Sequence, residues 1–276
     1  MPADQHHHFD QVISMLRLRL VRHFADGVFG AALVSDSRGQ EWVLKVQPRP
    51  ELETKWTTGA EMAALLHATG YPSPRYRDVG RTDQVVWSLQ EPLPGTVVGH
   101  VTEPIATQLV TLARRHATDC GQSRPWRDDA IRSARGWLAD IPLDGPDVAV
   151  LELALDRGAQ AELLETTIVH GDFHHRNALT DGDGIVGVFD WDLAGPGDWR
   201  FDLVMLAFGC SIQADSCDPE ALDHITTAMR NECPHDVLAL MTACQILRIA
   251  SMTFARKPAR APAIVSQLTK ALASWL

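Results

Sequence analysis

Between residues 168 and 192 the chain reads IVHGDFHHRNALTDGDGIVGVFDWD, a run in which histidines, an asparagine and carboxylates sit among strand-forming Val, Ile and Phe. Such a mixture suits a metal centre, a catalytic loop or a plain polar turn. Residues 178–180 and 185–189 flank Asp181-Gly182-Asp183-Gly184, a turn sequence, so 178–189 is expected to fold as an antiparallel hairpin. The two ends of a hairpin meet, which sets Asn177 at the entry beside Asp190 at the exit. An amide oxygen next to a carboxylate is a hard oxygen pair suited to Mg²⁺. Asp172, five residues before Asn177, can face the same space while staying off the metal. Calcium fits less well: were Asp181 the first position of an EF-hand loop, Ile185 and Val186 would fill a ligand position and the obligatory glycine. Zinc would have His170, His174 and His175, but neither an HExxH pattern nor a cysteine partner accompanies them.

These residues need elements to position them. Residues 11–24 read as a helix running into a strand. Phe29 to Val34 and Trp42 to Val46, separated by a polar turn, read as a hairpin. Thr57 to Ala68 reads as a helix capped by Thr57 or Thr58, and Val85 to Gln90 as a further strand. Glu91-Pro92-Leu93-Pro94-Gly95 holds two prolines and a glycine, which neither a helix interior nor a central strand accepts, so it reads as a connection between lobes. Beyond it the apolar spacing is helical over 103–119, 127–139 and 147–165, and again over 201–212, 219–232, 236–254 and 261–275. The division expected is an N-lobe over 1–92, a linker over 93–96 and a C-lobe over 97–276.

With 276 residues the chain exceeds what one core holds comfortably, which favours two lobes. No stretch approaches about 18 uninterrupted apolar residues, so no membrane span is expected. Residues 1–10 lack a basic start and an apolar run, and the five cysteines form no CxxC pair; both point to a cytoplasmic protein. Net charge is −10, and it is uneven: residues 1–92 carry 10 basic and 11 acidic side chains, residues 93–276 carry 15 and 24. That balance argues against nucleic acid, whose phosphates need a basic stripe, and mildly favours a cationic small molecule.

The pattern His170-Gly171-Asp172-Phe173-His174-His175-Arg176-Asn177, followed by Val188-Phe189-Asp190-Trp191-Asp192, resembles the HGDxxxxN loop and metal segment of the aminoglycoside phosphotransferase and choline kinase-like family, relatives of protein kinases. Gly195-Pro196-Gly197-Asp198 and Asp202-Leu203 resemble that family's continuation. The resemblance implies an α+β, bilobal, protein-kinase-like fold with a small β-rich N-lobe and a larger, mainly helical C-lobe. It implies Asp172 as the residue that orients the acceptor hydroxyl and takes its proton, with Asn177 and Asp190 holding Mg²⁺ against ATP or GTP. In the first lobe it implies a glycine turn at Gly27 and Gly30 over the phosphates, Lys45 on the phosphates, Glu61 as the lysine's partner, and Glu91 to Leu93 along the base. His170 is expected to brace the loop and Asp202 to anchor a helix start. Many members carry small residues where His175 and Arg176 stand, which leaves open whether Arg176 pairs with a helix carboxylate or shapes the substrate entrance.

For the acceptor, the resemblance offers cationic antibiotics (aminoglycosides, or tuberactinomycin peptides such as capreomycin and viomycin), macrolides, choline, homoserine and sugars. The acidic second part, with Asp192, Asp198, Asp215, Asp218, Glu220, Glu232 and Asp236, favours a cation, and a capreomycin-type peptide is the specific expectation. A choline enzyme would instead use aromatic side chains, for which Trp191, Trp199 and Phe201 are candidates. A nucleotide-binding pseudokinase acting as an interaction module is the alternative from another class.

Overall fold

The computed structural model describes residues 3–24, 30–141, 145–212 and 214–275. The chain divides into two compact units. The first gathers residues 1–98 with 170–172 and 176–195; the second gathers 99–169, 173–175 and 196–276. The first unit thus runs past the boundary drawn at 92, and it includes the hairpin that the linear division left with the C-lobe.

In the first unit, helix α1 (Ala3–Met15) leads into a five-stranded antiparallel sheet of β1 (Arg19–His23), β2 (Ala31–Ser35), β3 (Glu41–Gln47), β4 (Tyr76–Arg81) and β5 (Val86–Gln90), in spatial order β1-β2-β3-β5-β4. Strand alternation sends Leu44, Val46, Trp87 and Leu89 to one face, where they form a core with Phe9 and Val12 of α1. The opposite face carries Lys45, paired in register with Ala31 and Ser88, and Gln90, paired with Val43.

Helix α2 (Glu53–His67) begins four residues before the expected Thr57, behind a turn over Pro50–Leu52. Thr57 and Thr58 are therefore interior residues, and their hydroxyls donate back to the carbonyls of Glu53 and Thr54 instead of capping the helix. The short strands β6 (Thr96–Val97), β8 (Ala178–Thr180) and β9 (Ile185–Val188) form a second sheet in the order β6-β8-β9, with Ala178 opposite Val188, while β7 (Thr167–Val169) belongs to the second unit. The hairpin expected over 178–189 is there.

The second unit is helical: α3 (Glu103–Arg115), α4 (Trp126–Asp140), α5 (Pro146–Gly158), α6 (Arg200–Ile212), α7 (Pro219–Glu232), α8 (His235–Arg256) and α9 (Ala261–Trp275). By length and composition α8 alone among the described helices would pass for a membrane span, but 67% of its most apolar window is buried among the other helices, as in a central core helix. Asp202, in the first turn of α6, is fully buried and bonded to His116 (2.8 Å). Trp191, Trp199 and Phe201, the candidates for a choline site, are core residues, none more than 8% exposed.

Candidate active site

Residues 170–172 and 190–193 converge on the open end of the β8–β9 hairpin. The Phe189 N–H donates to the Asn177 carbonyl (3.0 Å), which closes the hairpin and leaves Asn177 and Asp190 flanking its mouth. His170 ties this to the loop before it. Its Nε2 bonds to the Phe189 carbonyl (3.0 Å), and its Nδ1 accepts the Asp172 N–H (3.3 Å), a division that fixes the ring as the Nε2–H tautomer. The ring packs on Trp191 with centroids 4.5 Å apart. Gly171 between them has φ of +77°, and a Cβ there would lie 2.8 Å from the Leu193 carbonyl oxygen, so glycine is demanded twice over.

Asn177 orients Asp172 directly. Its Nδ2 donates to the Asp172 carbonyl (2.9 Å) and to Asp172 Oδ2 (3.2 Å). The amide oxygen of Asn177 is left as an acceptor facing away from those two bonds. Asp190 adopts a left-handed backbone (φ +68°), which costs a non-glycine residue about 1–2 kcal/mol. The turn at 191–193 holds it there, through the bond from the Trp191 indole N–H to the Val188 carbonyl (2.9 Å) and from the Ala194 N–H to the Trp191 carbonyl (2.9 Å).

Lys45 reaches this turn from the sheet. Its Nζ bonds to Asp190 Oδ1 (2.8 Å) and to Asp192 Oδ2, and the indole of Trp56 on α2 lies 5.5 Å away. Burial lowers the lysine pKa, but Asp192 and Asp190 outweigh it and the net shift is upward. Burial raises Asp190 as well, yet Lys45 prevails and holds it below the usual carboxylate range. Asp192 is buried more deeply, and burial, aided by Asp190, pushes it up to about 6 against the pull of Lys45.

Several expectations change here. Glu61 is not the lysine's partner: it is exposed on α2, about 140° around the helix from Trp56 at 100° per residue. Among the described residues Lys45 pairs with Asp190 and Asp192 alone. Asp192, expected at the substrate, is committed to Lys45 because a carboxylate only 15% exposed needs a counter-charge. Asp198, also expected there, is fully buried and accepts bonds from Arg200 Nε (2.8 Å), the Arg200 N–H (3.1 Å) and the Leu164 N–H (3.0 Å), so it braces the second unit. Arg176 is exposed and has no ion-pair partner among the described residues, which removes the helix-carboxylate role. Gly30 precedes β2 with φ of +70°, whereas Gly27 lies outside the described residues. The Glu91 N–H donates to the Arg75 carbonyl (2.8 Å), and Leu93 packs on Gly187 of β9. No grouping of three His, Cys, Asp or Glu with metal-holding geometry occurs among the described residues, so the zinc reading has no ligand set.

The structure adds residues that the sequence did not single out. Gly59 of α2 touches the Trp191 carbonyl oxygen so closely that a Cβ would stand 2.1 Å from it. The Tyr76 hydroxyl is buried near the same turn, and burial with Asp192 and Asp190 drives its pKa well above the phenol value. Ser88 Oγ and Gln90 Oε1, on the lysine face of the sheet, are buried without a hydrogen-bonding partner among the described residues. No pattern in the sequence marks these positions.

The donor set fits a divalent cation and a polyphosphate. Asp172, Asp190 and Asp192 outnumber Lys45, which leaves negative charge for a hard cation to balance, and Asp190 with the free oxygen of Asn177 is an all-oxygen pair. The lysine and the unpartnered Ser88 and Gln90 oxygens give the sheet face polar groups that a nucleotide can engage.

Comparison with known proteins agrees with this chemistry. Residues 24–233 match the model of the phosphotransferase enzyme family. An aminoglycoside 3'-phosphotransferase from Streptomyces fradiae is 26% identical over 197 residues, spanning 63% of this chain and 73% of that protein. Aminoglycoside phosphotransferase APH(4)-Ia superposes with a TM-score of 0.69 at 17% identity over 99% of each chain. Aminoglycoside-3'-phosphotransferase of type VIII does so with a TM-score of 0.64 at 22% identity, over 87% of this chain and 99% of its own. These likenesses fix a kinase-like α+β fold, and the family match embraces Lys45, Asp172, Asn177 and Asp190 together: the chain belongs to the phosphotransferase enzyme family.

Proposed function

We propose that this chain moves the γ-phosphoryl group of ATP or GTP to a hydroxyl of a small cationic antibiotic, with Mg²⁺ as cofactor, in the cytoplasm. An aminoglycoside or a capreomycin-type tuberactinomycin peptide is the acceptor class. The observation that carries the reading is the grouping, within one unit, of Lys45 on Asp190 with Asp172 held by Asn177. Relatives support the acceptor class. A thermostable mutant of APH(4)-Ia is known as a ternary complex with ADP and hygromycin B, and similar folds belong to a macrolide 2'-phosphotransferase from Brachybacterium faecium and to an amicoumacin kinase bound to AMP-PNP.

Each residue then has a task set by its surroundings. Asp172, held through Oδ2 by Asn177, orients the incoming hydroxyl and takes its proton as the bond to phosphorus forms. Lys45 donates to phosphate oxygens. Mg²⁺, held by Asn177 and Asp190, would neutralise charge on the triphosphate. His170 keeps Asp172 in register with the hairpin through its two ring nitrogens.

The charge argument for a cationic acceptor narrows in the structure. Asp198, Asp218 and Glu232 are taken by Arg200, His100 and Arg114, while Asp215 and Glu220 remain exposed to attract a polycation. Burial of Trp191, Trp199 and Phe201 weakens the choline alternative, and the intact set of Lys45, Asp172, Asn177 and Asp190 weighs against a pseudokinase.

The test is mass spectrometry for the gain of one phosphate. Aminoglycosides including hygromycin B, capreomycin, viomycin, a macrolide, choline and homoserine are each incubated with the protein, Mg²⁺ and ATP or GTP. A gain on a cationic antibiotic is expected, and Asp172→Asn should slow it about 10²- to 10⁴-fold while nucleotide still binds. Phosphorylation confined to choline or homoserine, or of no acceptor at all, overturns the proposal.

A further inference from the structure

We propose that Asp192 is the residue that aims Lys45, in place of the α2 carboxylate, so that the lysine is aligned by the 190–192 turn and not by the helix. The proposal rests on the phosphotransfer reading and goes beyond it, since nothing in that reading requires a second carboxylate after the metal-binding one.

Three observations converge. First, α2 offers Lys45 no carboxylate: Trp56 occupies the position over the ammonium, 5.5 Å from it, and Glu61 points to solvent. Second, the two carboxylates on Lys45 are not equivalent. The Asp190 side chain is 39% exposed and flanks the hairpin mouth with Asn177; the Asp192 side chain is 15% exposed, much like that of Lys45 at 14%. When Asp190 turns to a divalent cation, Asp192 is the carboxylate left to hold the lysine. An ammonium on a flexible four-carbon stem needs such a partner to be directed at a phosphate.

Third, Asp192 is itself rigidly placed. Trp191 before it is fully buried, edge-on to Tyr71 (5.7 Å) and bonded to Val188, and its carbonyl abuts Gly59. The backbone that leads into Asp192 is therefore fixed by the core, and the carboxylate delivers that rigidity to Nζ. Asp192 is a positioning residue: it acts on phosphate through Lys45.

The experiment measures binding of AMP-PNP by calorimetry, with and without Mg²⁺, alongside acceptor-free ATP hydrolysis, in wild type, Lys45→Met, Asp192→Asn, Asp192→Glu, the double variant Lys45→Met with Asp192→Asn, and Glu61→Gln. Removing a negative charge near a triphosphate should tighten binding if charge alone mattered. A positioning role reverses the sign. Asp192→Asn should weaken AMP-PNP about 10-fold or more, as expected when a charge-assisted lysine bond is lost, and Lys45→Met should do the same. The double variant should be no weaker than Lys45→Met alone, Glu61→Gln should stay within about twofold, and Asp192→Glu should recover most of the loss.

Affinity in Asp192→Asn equal to or above wild type overturns the proposal. So does a loss that recurs in full on the Lys45→Met background, or an equal loss in Glu61→Gln. If Asp192→Asn does not fold, Asp192→Glu decides: failure to retain affinity near wild type in a protein with unchanged melting temperature sinks the idea. Wild-type affinity in Lys45→Met, or no nucleotide binding by the wild type, overturns the phosphotransfer reading itself and this proposal with it.

Discussion

Replacing Gly59 with alanine puts the geometry of the site to a test whose sign is decisive. A Cβ at Gly59 would lie 2.1 Å from the Trp191 carbonyl oxygen and 3.1 Å from its carbonyl carbon. A carbon and a carbonyl oxygen approach to about 3.3 Å, so roughly 1.2 Å must be found. Both obstructing atoms are backbone, so the shift falls on α2 or on the turn that carries Asp190 and Asp192. Lengthening the 2.8 Å bond from Lys45 to Asp190 by that amount takes it to about 4 Å, beyond hydrogen bonding. Overpacking of this kind costs about 1–3 kcal/mol and the charged bond about as much again, against at most about 1 kcal/mol gained from helix propensity. Gly136 is the control. It sits exposed within α4 with nothing within 4 Å of a built Cβ, so Gly136→Ala should stabilise by about 0.5–1 kcal/mol. Urea or thermal denaturation of the two variants, with ATP hydrolysis in parallel, is the assay. Gly59→Ala should be less stable and about 100-fold slower, since a misplacement near 1 Å in a catalytic constellation costs that much. If both variants gain stability and Gly59→Ala keeps its turnover, the close approach of α2 to the turn does not position this site.

Two further outcomes follow from buried groups in the second unit. Asp198→Ala strands Arg200, a side chain 10% exposed, and should destabilise by about 3–5 kcal/mol. Asp198→Ala with Arg200→Met should be milder than the single change, while the KM for an acceptor stays unchanged in either; a double variant less stable than the single, read from urea midpoints, contradicts the buried-pair account. Burial pushes the thiols of Cys233 and Cys244 up to about 12, so at pH 8 few of them are thiolates and a disulfide reagent should label neither within minutes in the native protein. All five cysteines should react in denaturant; rapid native labelling at Cys244, located by peptide mapping, refutes its burial.

The second unit was legible in the sequence almost element by element, because long amphipathic helices announce themselves through apolar spacing. The segment read over 219–232 is α7, and those read over 201–212 and 236–254 begin or end within two residues of α6 and α8. The first unit was harder. β4 escaped notice because Tyr76–Arg81 is an edge strand with no buried residue, interrupted by a bulge and carrying Gly80 against the ring of Trp87. The start of α2 was misplaced because two threonines looked like caps, when their hydroxyls were about to bond backwards along a helix begun by Pro50. Local chemistry offers the same residue two uses, and only the packing chooses.

For the site, what could be read was what lies close in sequence. Asp172, Asn177 and Asp190 fall within 19 residues, and a hairpin with a DGDG turn is enough to bring the last two to one mouth. Strand parity likewise sufficed to place Lys45 on a face of β3, but not to say which face was the useful one. Its partner is 147 residues away, so the choice between Glu61 and Asp192 was made by the rotation of α2 and the position of Trp56, neither of which a single sequence encodes as a pattern. That is why the order of elements, lysine then helix then loop, predicted an ion pair of the right kind with the wrong carboxylate. The chemistry needs an anion beside the ammonium and is indifferent to which strand of the chain supplies it, and where a tryptophan takes the helix position, the turn that follows Asp190 is near enough to supply it instead.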